Sequence, residues 1–326
     1  MMRAPLRLLA LAVAFAAASP HSRGDQPHVT YFRAVARTPT QTFLLDEQGE
    51  SVYAHRGGST VNEVAKFRTS DGKAWSWGKM PMSFASWHGD FLVVNGTNVL
   101  ERFAADGRHS KRVSLPVTAT GIVSTAKAVW LYSGLPSFQG ARFWRSTDGE
   151  AFSPLNVPLT AHGDVRSRLL QLQIVFASDA DGTLYFARSI GEPVVHKRLA
   201  DGKDQRVTVA YTRSRERSRA TGYVNGKNDL TTYSLPVADL FIDARGRLVV
   251  TRNREDGPGD DGRSQAWLRR RVDLYDPRGR HTATATFPVT IRTVLRIEDA
   301  VVIAATNDGR IIRARLGAPE PGGIRD

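Results

Sequence analysis

Short β-like segments, each closed by a turn, run the length of the chain and constrain its fold more than any other feature. Runs of β-branched and aromatic residues recur about every ten residues, and each ends at Gly, Asp, Asn or Pro. Two examples are "LFIDARGRLVV", Leu240 to Val250, and "VFASDADGTLYFA", Val175 to Ala187. No long stretch shows the 3.6-residue apolar period of an amphipathic helix. The pattern therefore predicts an all-β protein built from hairpins.

Grouping the segments into sets of four strands yields a repeat of roughly 40 residues, which is typical of propeller blades. We therefore predict a six-bladed β-propeller with four strands in each blade. A β-sandwich pair or a β-helix would not explain why one of the repeated units is short by one strand that the N-terminus can supply. The predicted blades span residues 42–79, 82–115, 118–157, 170–210, 235–287 and 290–316.

The last predicted blade contains only three strands, so the ring needs one strand from elsewhere. "HVTYFRAV", His28 to Val35, is a suitable strand near the other end of the chain. Pairing this strand into the last blade closes the ring and removes the free sheet edges of an open array. The alternative is seven blades, with the seventh formed by residues 211–234.

The first residues have the pattern of a secretory signal. Arg3 and Arg7 precede an apolar run, Leu8–Ala18, that is too short to span a bilayer and ends in small residues. We expect cleavage after Ala18, export to the periplasm or the medium, and no transmembrane segment in the mature chain. The predicted divisions are a signal peptide at 1–18, a linker at 19–27, a single propeller domain at 28–316 and a C-terminal tail at 317–326.

Cysteine content and charge limit the classes of function. The chain has no cysteine, which excludes disulfides and thiolate metal sites. Its formal net charge of +13 favours anionic partners such as acidic glycans, lipid headgroups or nucleic acid. An exported location argues against nucleic acid. We expect a monomer that binds an envelope protein or an anionic glycan.

Two similar stretches, "RTSDGKAWSW" from Arg68 and "RSTDGEAFSP" from Arg145, combine hydroxyl residues, Asp-Gly and an aromatic residue. An Asp side chain accepts nearby backbone N–H groups, and Gly adopts positive φ without a Cβ clash. We predict that both stretches are structural turns between the third and fourth strands of their blades. The residues assigned to these turns are Ser70, Asp71, Gly72, Trp75, Ser146, Asp148, Gly149 and Phe152.

These stretches resemble the Asp-box, or BNR repeat, of sialidase-like propellers, and the whole chain resembles sialidase-like or NHL-like propellers. The resemblance implies that the box is a structural turn on the face away from the active site. Catalytic sialidases use an arginine triad, a Tyr–Glu pair, an Asp acid and an Arg-x-Pro signature. "YFRAVART" contains Arg33 and Arg37 without that signature. No catalytic residue is assigned, and the resemblance is to a non-catalytic member.

The long connections are predicted to gather on one face, with the tight Asp-Gly turns on the other. Long loops on one rim are the expected place for a binding site. Within 211–234, four arginines alternate on one face of an extended strand and precede an Asn-Gly hairpin turn, which suits an anionic ligand. The long connections span 133–141, 159–169, 211–234 and 253–267; the candidate ligand residues are Arg213, Arg215, Arg217, Arg219, Phe138, His162, Tyr223 and Tyr233.

Metal binding is the other chemistry that the sequence raises. Asp256, Asp260 and Asp261 are candidate calcium ligands because calcium prefers oxygen donors, although they lack the spacing of a calcium loop. No other cofactor is expected. His55 and His162 are predicted near the rim, without the spacing of a zinc site. The sequence favours a non-catalytic binding module, and the alternative is a lactonase-like or sialidase-like hydrolase or lyase with its site at the same face near the central channel.

Overall fold

The computed structural model contains only β-strands and turns in the part of the chain that it describes. Each strand is a short run of apolar residues that is largely buried, as in Leu44 and Leu45, which are fully buried in the first sheet. The structure describes residues 32–38, 40–57, 60–135, 142–157, 159, 172–188, 194–199, 203–208, 218–224, 227–233, 237–255, 267–306 and 309–319. Among these residues, no helix is long and apolar enough to cross a membrane.

In the described part of the chain, twenty-five strands form six propeller blades and one separate hairpin. The first blade contains β1(Phe32–Arg37), β2(Thr42–Asp46), β3(Ser51–His55) and β4(Asn62–Lys66). The second contains β5(Ser83–Trp87), β6(Asp90–Val94), β7(Val99–Phe103) and β8(His109–Ser114). The third contains β9(Gly121–Ser124), β10(Val129–Tyr132), β11(Phe143–Ser146) and β12(Ser153–Leu155).

The other blades follow the same order along the chain. The fourth contains β13(Ile174–Ser178), β14(Leu184–Arg188), β15(Val194–Arg198) and β16(Asp204–Thr208). The separate hairpin is β17(Ser218–Val224) and β18(Lys227–Tyr233). The fifth blade contains β19(Val237–Ile242), β20(Leu248–Glu255), β21(Trp267–Tyr275) and β22(His281–Thr286). The sixth contains β23(Ile291–Glu298), β24(Val301–Thr306) and β25(Ile311–Arg315), three strands in the described part of the chain.

The six-bladed propeller is confirmed. The seven-bladed alternative is wrong, because the described part of 211–234 is a two-stranded hairpin and not a blade. β17 and β18 pair in antiparallel register from Ser218–Tyr233 to Val224–Lys227, on either side of the predicted Asn-Gly turn.

The predicted closure by an N-terminal strand is wrong. β1 pairs with β2 in the first blade, with Arg37 opposite Thr42, and is therefore the innermost strand of that blade. The physical reason is local: β1 and β2 are close in sequence, and the Thr38 amide donates to the Gln41 carbonyl (2.9 Å) between them. A short turn loses little loop-closure entropy, whereas pairing with the last blade joins the two ends of the chain.

This one-strand shift also corrects two predicted turns in the first blade. The predicted first blade begins at residue 42, which makes Asp46–Gly49 the turn between its first two strands; this turn instead joins the second and third strands. The "TSDGKAW" stretch follows the fourth strand and lies in the connection to the second blade, where the Gly72 amide donates to the Thr69 carbonyl (2.9 Å). Its predicted position between the third and fourth strands is therefore wrong. Trp75 packs against the hydrophobic cluster between the first and second blades.

The second copy, residues 146–152, does join the third and fourth strands of its blade. The Ser146 hydroxyl donates to Asp148 Oδ1 (2.7 Å), and the amides of Glu150 and Ala151 donate to the same oxygen (2.9 Å each). Together, the Ser146 hydroxyl and these two amides lower the pKa of Asp148 to about 2. Gly149 has a φ of 74° and contacts Trp87 of the second blade, so a side chain there would be strained and would clash. The motif is a structural turn that packs the third blade against the second.

The hydrophobic core is divided among the interfaces between neighbouring blades. Separate clusters join the first and second blades, the second and third, the third and fourth, and the sixth and first. One larger cluster joins the fourth, fifth and sixth blades. The cluster between the sixth and first blades includes Phe32, Leu44, Leu295 and Ile303. The ring is therefore closed by side-chain packing between the first and last blades.

Candidate functional site

The two ends of the ring carry different kinds of connection. Each inner strand begins at the connection from the preceding blade and ends at the turn to the second strand of its own blade. Residues 38, 40–42, 243–244 and 295–297 line one cavity, which shows that the ends of β1, β19 and β23 lie at the same end of the channel. We call this end the inner-turn face, and the opposite end, where the inner strands begin, the long-connection face.

Most of the predicted ligand residues lie outside the described part of the chain. Only the backbone positions of Arg219, Tyr223 and Tyr233 are described, in β17 and β18, where Arg219 pairs with Thr232 and Tyr223 with Asn228. The predicted residues outside the described ranges are Phe138, His162, Arg213, Arg215, Arg217, Asp256, Asp260 and Asp261.

His55 does not lie on a rim. Its side chain is fully buried at the end of β3, opposite Thr42 of β2, so the predicted rim position is wrong. A residue at the end of an interior strand is covered by both neighbouring strands and by the adjacent blade. Within the described ranges, no group of three or more His, Asp or Glu side chains is placed to hold a metal ion.

Exposed large apolar side chains lie at the long-connection face. In the described part of the chain they are Met80 (39% exposed), Met82 (52%) and Val289 (36%). Met80 and Met82 immediately precede β5, and Val289 lies just before β23. All three therefore stand where an inner strand begins, in the second and sixth blades, on either side of the first blade. Contiguous exposed apolar patches mark interaction surfaces, and these three side chains share one face of the ring.

The segment that carries the two methionines is held firmly. The Trp77 indole nitrogen donates to the Gly49 carbonyl (2.8 Å), and Pro81 packs directly on Gly49. The Met82 amide donates to the Val94 carbonyl (2.9 Å), which extends the β5–β6 ladder by one bond. These contacts attach the connection to the turns of two blades, so the methionine side chains are presented from a fixed backbone.

A small cavity of about 70 Å³ lies in the central channel. Inner strands of the first five blades line it, and most of the lining residues are apolar. Val35, Val123, Phe176 and Ile242 are partly exposed there. Arg37 is the only charged residue among those that line it within the described ranges.

Arg37 links the first, fifth and sixth blades at the end of the channel that lies on the inner-turn face. Its Nη2 donates to Asp239 Oδ2 of the fifth blade (2.6 Å) and to the Thr293 hydroxyl of the sixth (2.6 Å). Its Nε and Nη2 also donate to the Val294 carbonyl (3.2 and 3.1 Å). The guanidinium lies over the Phe241 ring, 4.5 Å from its centroid. The Arg37–Asp239 pair is half-buried, with side chains 17% and 26% exposed.

Sequence reasoning missed Met80, Met82, Arg37 and Asp239 as residues of interest. Two methionines flanking a proline just before a strand, "MPMS", were a usable signal. Arg37 and Asp239 lie 202 positions apart, so no local pattern connects them.

No protein-family model matches the chain, and no curated protein matches it in sequence. Solved propeller structures resemble it over most of its length. A gluconolactonase from Xanthomonas campestris is 15% identical, with 88% of this chain and 86% of that chain covered, at a TM-score of 0.49. Virginiamycin B lyase from Staphylococcus aureus is 9% identical, with 89% and 96% covered, at 0.48.

A third structure, the calcium-binding protein regucalcin from Agrobacterium tumefaciens, is 14% identical, with 90% and 93% covered, at a TM-score of 0.48. Identities and scores this low do not carry a function from one protein to another. They leave the narrower likeness to sialidase-like or NHL-like propellers as a prediction from the turn motifs. By its own strand order, the chain is a six-bladed β-propeller.

Proposed function

We propose that the chain is an exported, non-catalytic propeller that binds an acidic protein partner through its long-connection face. The observation that carries the proposal is the position of the exposed apolar side chains. Met80, Met82 and Val289, the large exposed apolar residues of the described ranges, all stand at this face. A glycan is recognised mainly through polar groups and aromatic rings, whereas methionine and valine suit the apolar centre of a protein interface.

Charge supports an acidic partner. The sequence has a formal net charge of +13, and four of its arginines, at positions 213–219, belong to the connection between the fourth and fifth blades. That connection belongs to the same class as the one that carries the methionines, because each joins an outer strand to the next inner strand. Basic residues around an apolar centre accelerate association with an acidic surface and select against basic ones.

The first test is quantitative capture from envelope extract with three forms of the protein lacking residues 1–18. These are the native form, Met80→Gln/Met82→Gln, and the control Lys127→Gln/Arg245→Gln, whose exposed residues lie in inner turns. We expect a protein that is retained by the native form and the control, and whose affinity for the methionine variant falls at least tenfold. Buried central contacts often contribute more than ~1 kcal/mol each, and ~1.4 kcal/mol is tenfold.

The captured protein is then purified and its Kd measured by calorimetry with each form at two salt concentrations. Weaker binding at higher salt is expected for a basic rim that meets an acidic partner. Equal affinity of the native form and the methionine variant would contradict the proposal. Thermal unfolding followed by circular dichroism checks that all three forms are folded.

A second variant, in which a short Gly-Ser link replaces residues 211–234, tests the arginine-bearing connection separately. We expect the association rate to decrease and its salt dependence to weaken, because the basic segment is removed while the methionines remain. An unchanged association rate would exclude this segment from recognition. Hydrolysis or elimination of a lactone or glycoside substrate by the native form would instead support the enzyme alternative.

A further inference from the structure

Met80 and Met82 are the only sulfur-bearing side chains that remain in the sequence once residues 1–18 are removed. The chain contains four methionines and no cysteine, and the other two methionines, Met1 and Met2, belong to the predicted signal peptide. Thiols and thioethers are the side chains that mild oxidants such as hydrogen peroxide attack most readily. Peroxide is therefore directed to these two positions.

Both methionines lie on the exposed side of the segment that carries them. Pro81, between them, is buried against Gly49, whereas Met80 is 39% exposed and Met82 is 52% exposed. Alternate residues of an extended segment point to opposite sides, so the two methionines share the side that faces solvent. Peroxide can therefore reach both side chains without any opening of the fold.

The folded core does not depend on either thioether. Met80 and Met82 belong to none of the hydrophobic clusters formed by the described residues. The Met82 amide, not its side chain, makes the hydrogen bond to the Val94 carbonyl (2.9 Å). A Cβ added at Gly96 would lie 2.6 Å from Met82 Sδ, so this sulfur rests against the β6–β7 turn at the surface. Adding oxygen to the sulfur atoms should therefore change the surface and leave the blades packed.

We propose that Met80 and Met82 form a peroxide-sensitive switch for binding of the acidic protein partner, an inference that rests on the function proposed above. The sulfur lone pair attacks one oxygen of hydrogen peroxide, the O–O bond breaks, an S–O bond forms and water leaves. Sulfur loses two electrons and the peroxide gains them. The sulfoxide oxygen is a hydrogen-bond acceptor, and its burial in the apolar centre of an interface without a donor is unfavourable.

The switch is reversible by a thiol-dependent sulfoxide reductase. Two thiols are oxidised to a disulfide, the S–O bond breaks, and the oxygen leaves as water. The propeller itself has no cysteine, so neither the oxidant nor the reductant changes any of its covalent cross-links. Peroxide and reductase therefore act on the two thioethers of the binding face.

The chemistry is tested first without a partner, on the protein lacking residues 1–18. The native form is treated with hydrogen peroxide, catalase removes the excess, and mass spectrometry with peptide mapping follows the addition of oxygen. We expect two oxygens, about 16 Da each, both in the peptide that contains Met80 and Met82, at a rate similar to that of a short peptide of the same sequence. The midpoint of thermal unfolding should move by less than about 2 °C. Much slower oxidation, or unfolding on oxidation, would overturn the proposal.

Binding is measured next, with the captured protein added only after peroxide has been removed. The native form, Met80→Leu/Met82→Leu and Met80→Gln/Met82→Gln are each compared with their own Kd before treatment. We expect the Kd of the native form to rise at least about tenfold, toward that of the glutamine variant, because the sulfoxide and the amide are both polar. Reductases for both sulfoxide epimers should restore it. The leucine variant has no thioether, so peroxide should leave its Kd unchanged.

The outcomes distinguish the switch from the proposed function. If the native form binds the captured protein, the glutamine variant binds it weakly and oxidation changes nothing, the switch is overturned and the binding function stands. A rise in Kd of the leucine variant after peroxide would show that another residue is modified, which also overturns the switch. If no captured protein depends on the methionines, the proposed function fails and the switch fails with it.

Discussion

Replacing Asp273 with asparagine is expected to lower the free energy of unfolding by about 3–5 kcal/mol, the usual effect of breaking a buried charge cluster. Asp273 is fully buried in β21 of the fifth blade. Its oxygens lie 2.5 Å from Arg252 Nε and 3.2 Å from Arg271 Nε, and the Thr284 hydroxyl donates to it (2.7 Å). Asparagine has the same shape but leaves buried Arg252 without this carboxylate.

The same cluster predicts a dependence on pH. Burial alone would raise the pKa of Asp273, but the hydrogen bond with His281 and the charges of Arg252 and Arg271 outweigh it and lower the pKa. A folded pKa below the unfolded value of about 3.9 stabilises the fold above that pH, and this stabilisation is lost as pH falls through the folded pKa. The difference in stability between the native form and Asp273→Asn should therefore narrow below about pH 4.

Glu101→Gln is the matched control, because Glu101 occupies the equivalent position in the second blade. Its side chain is 5% exposed and lies 2.9 Å from His109 and 2.7 Å from Arg112. Arg112 is 62% exposed, so water can solvate it once the charge is removed, and we expect a loss of only about 1–2 kcal/mol. Urea unfolding at pH 7 and pH 3 measures both variants. Equal losses of unfolding free energy in Asp273→Asn and Glu101→Gln would contradict the expectation that burial of the paired arginine sets the size of the effect.

Arg37→Met is expected to lower the free energy of unfolding by about 2–4 kcal/mol, because it removes hydrogen bonds and leaves a half-buried carboxylate unpaired. Arg37 connects the first blade to Asp239 of the fifth and Thr293 of the sixth. The seam between the last and first blades has further side-chain links. Arg296 Nη1 donates to the Arg56 carbonyl (2.7 Å) and Thr42 to the Leu295 carbonyl. Arg37 therefore helps to join the first blade to the last two blades. The sequence predicts this role for an N-terminal strand paired into the last blade.

Arg102→Met provides the comparison for this prediction. The Arg102–Asp90 pair has the same 2.6 Å separation, with side chains 25% and 22% exposed, but it lies within the second blade. We expect a loss of about 1 kcal/mol or less, as for ordinary partly exposed pairs. The double variant Arg37→Met/Asp239→Leu should recover part of the stability lost in Arg37→Met, because no buried carboxylate remains unpaired. Similar losses in Arg37→Met and Arg102→Met would show that the position at the seam has no special effect.

A repeated pattern around the buried acids was present in the sequence and was missed. "ERFAADGRH" from Glu101 and "DLYDPRGRH" from Asp273 share an acid, an aromatic two residues later, and Gly-Arg-His at the end. In both blades the final histidine pairs with the aromatic residue across the third and fourth strands. It also contacts the acid, at 2.9 Å in one blade and 3.2 Å in the other. The third and fourth strands of these two blades therefore carry a sequence signal in addition to their turn residues.

The number of blades and the location of most hairpins follow from local signals. Strand residues such as Leu240 to Ile242, closed by an Asp-x-x-Gly turn, specify a hairpin because the turn conformation and the alternation of side chains agree. The same agreement recurs in nearly every blade, so the repeat length and the blade count could be predicted. The strands that flank the long connections place them at one face, since strand direction alternates within a blade. The prediction that the tight Asp-Gly turns all lie on the other face is wrong, because the Asp46–Gly49 and Asp71–Gly72 turns lie at the long-connection face.

Pairing between distant parts of the chain was decided only in the tertiary structure. The first strand can pair with β2 across the short connection at residues 38–41, or with the last blade at the other end of the chain. The local pattern of residues is compatible with both pairings, and the difference in their free energies decides between them. The Arg37–Asp239 pair and the position of the exposed methionines depend on how blades meet around the channel. The repeating unit follows from the amino-acid sequence, because the signals that specify it are local. Ring closure and the chemistry of the channel required the assembled fold, because their partners are far apart in the chain.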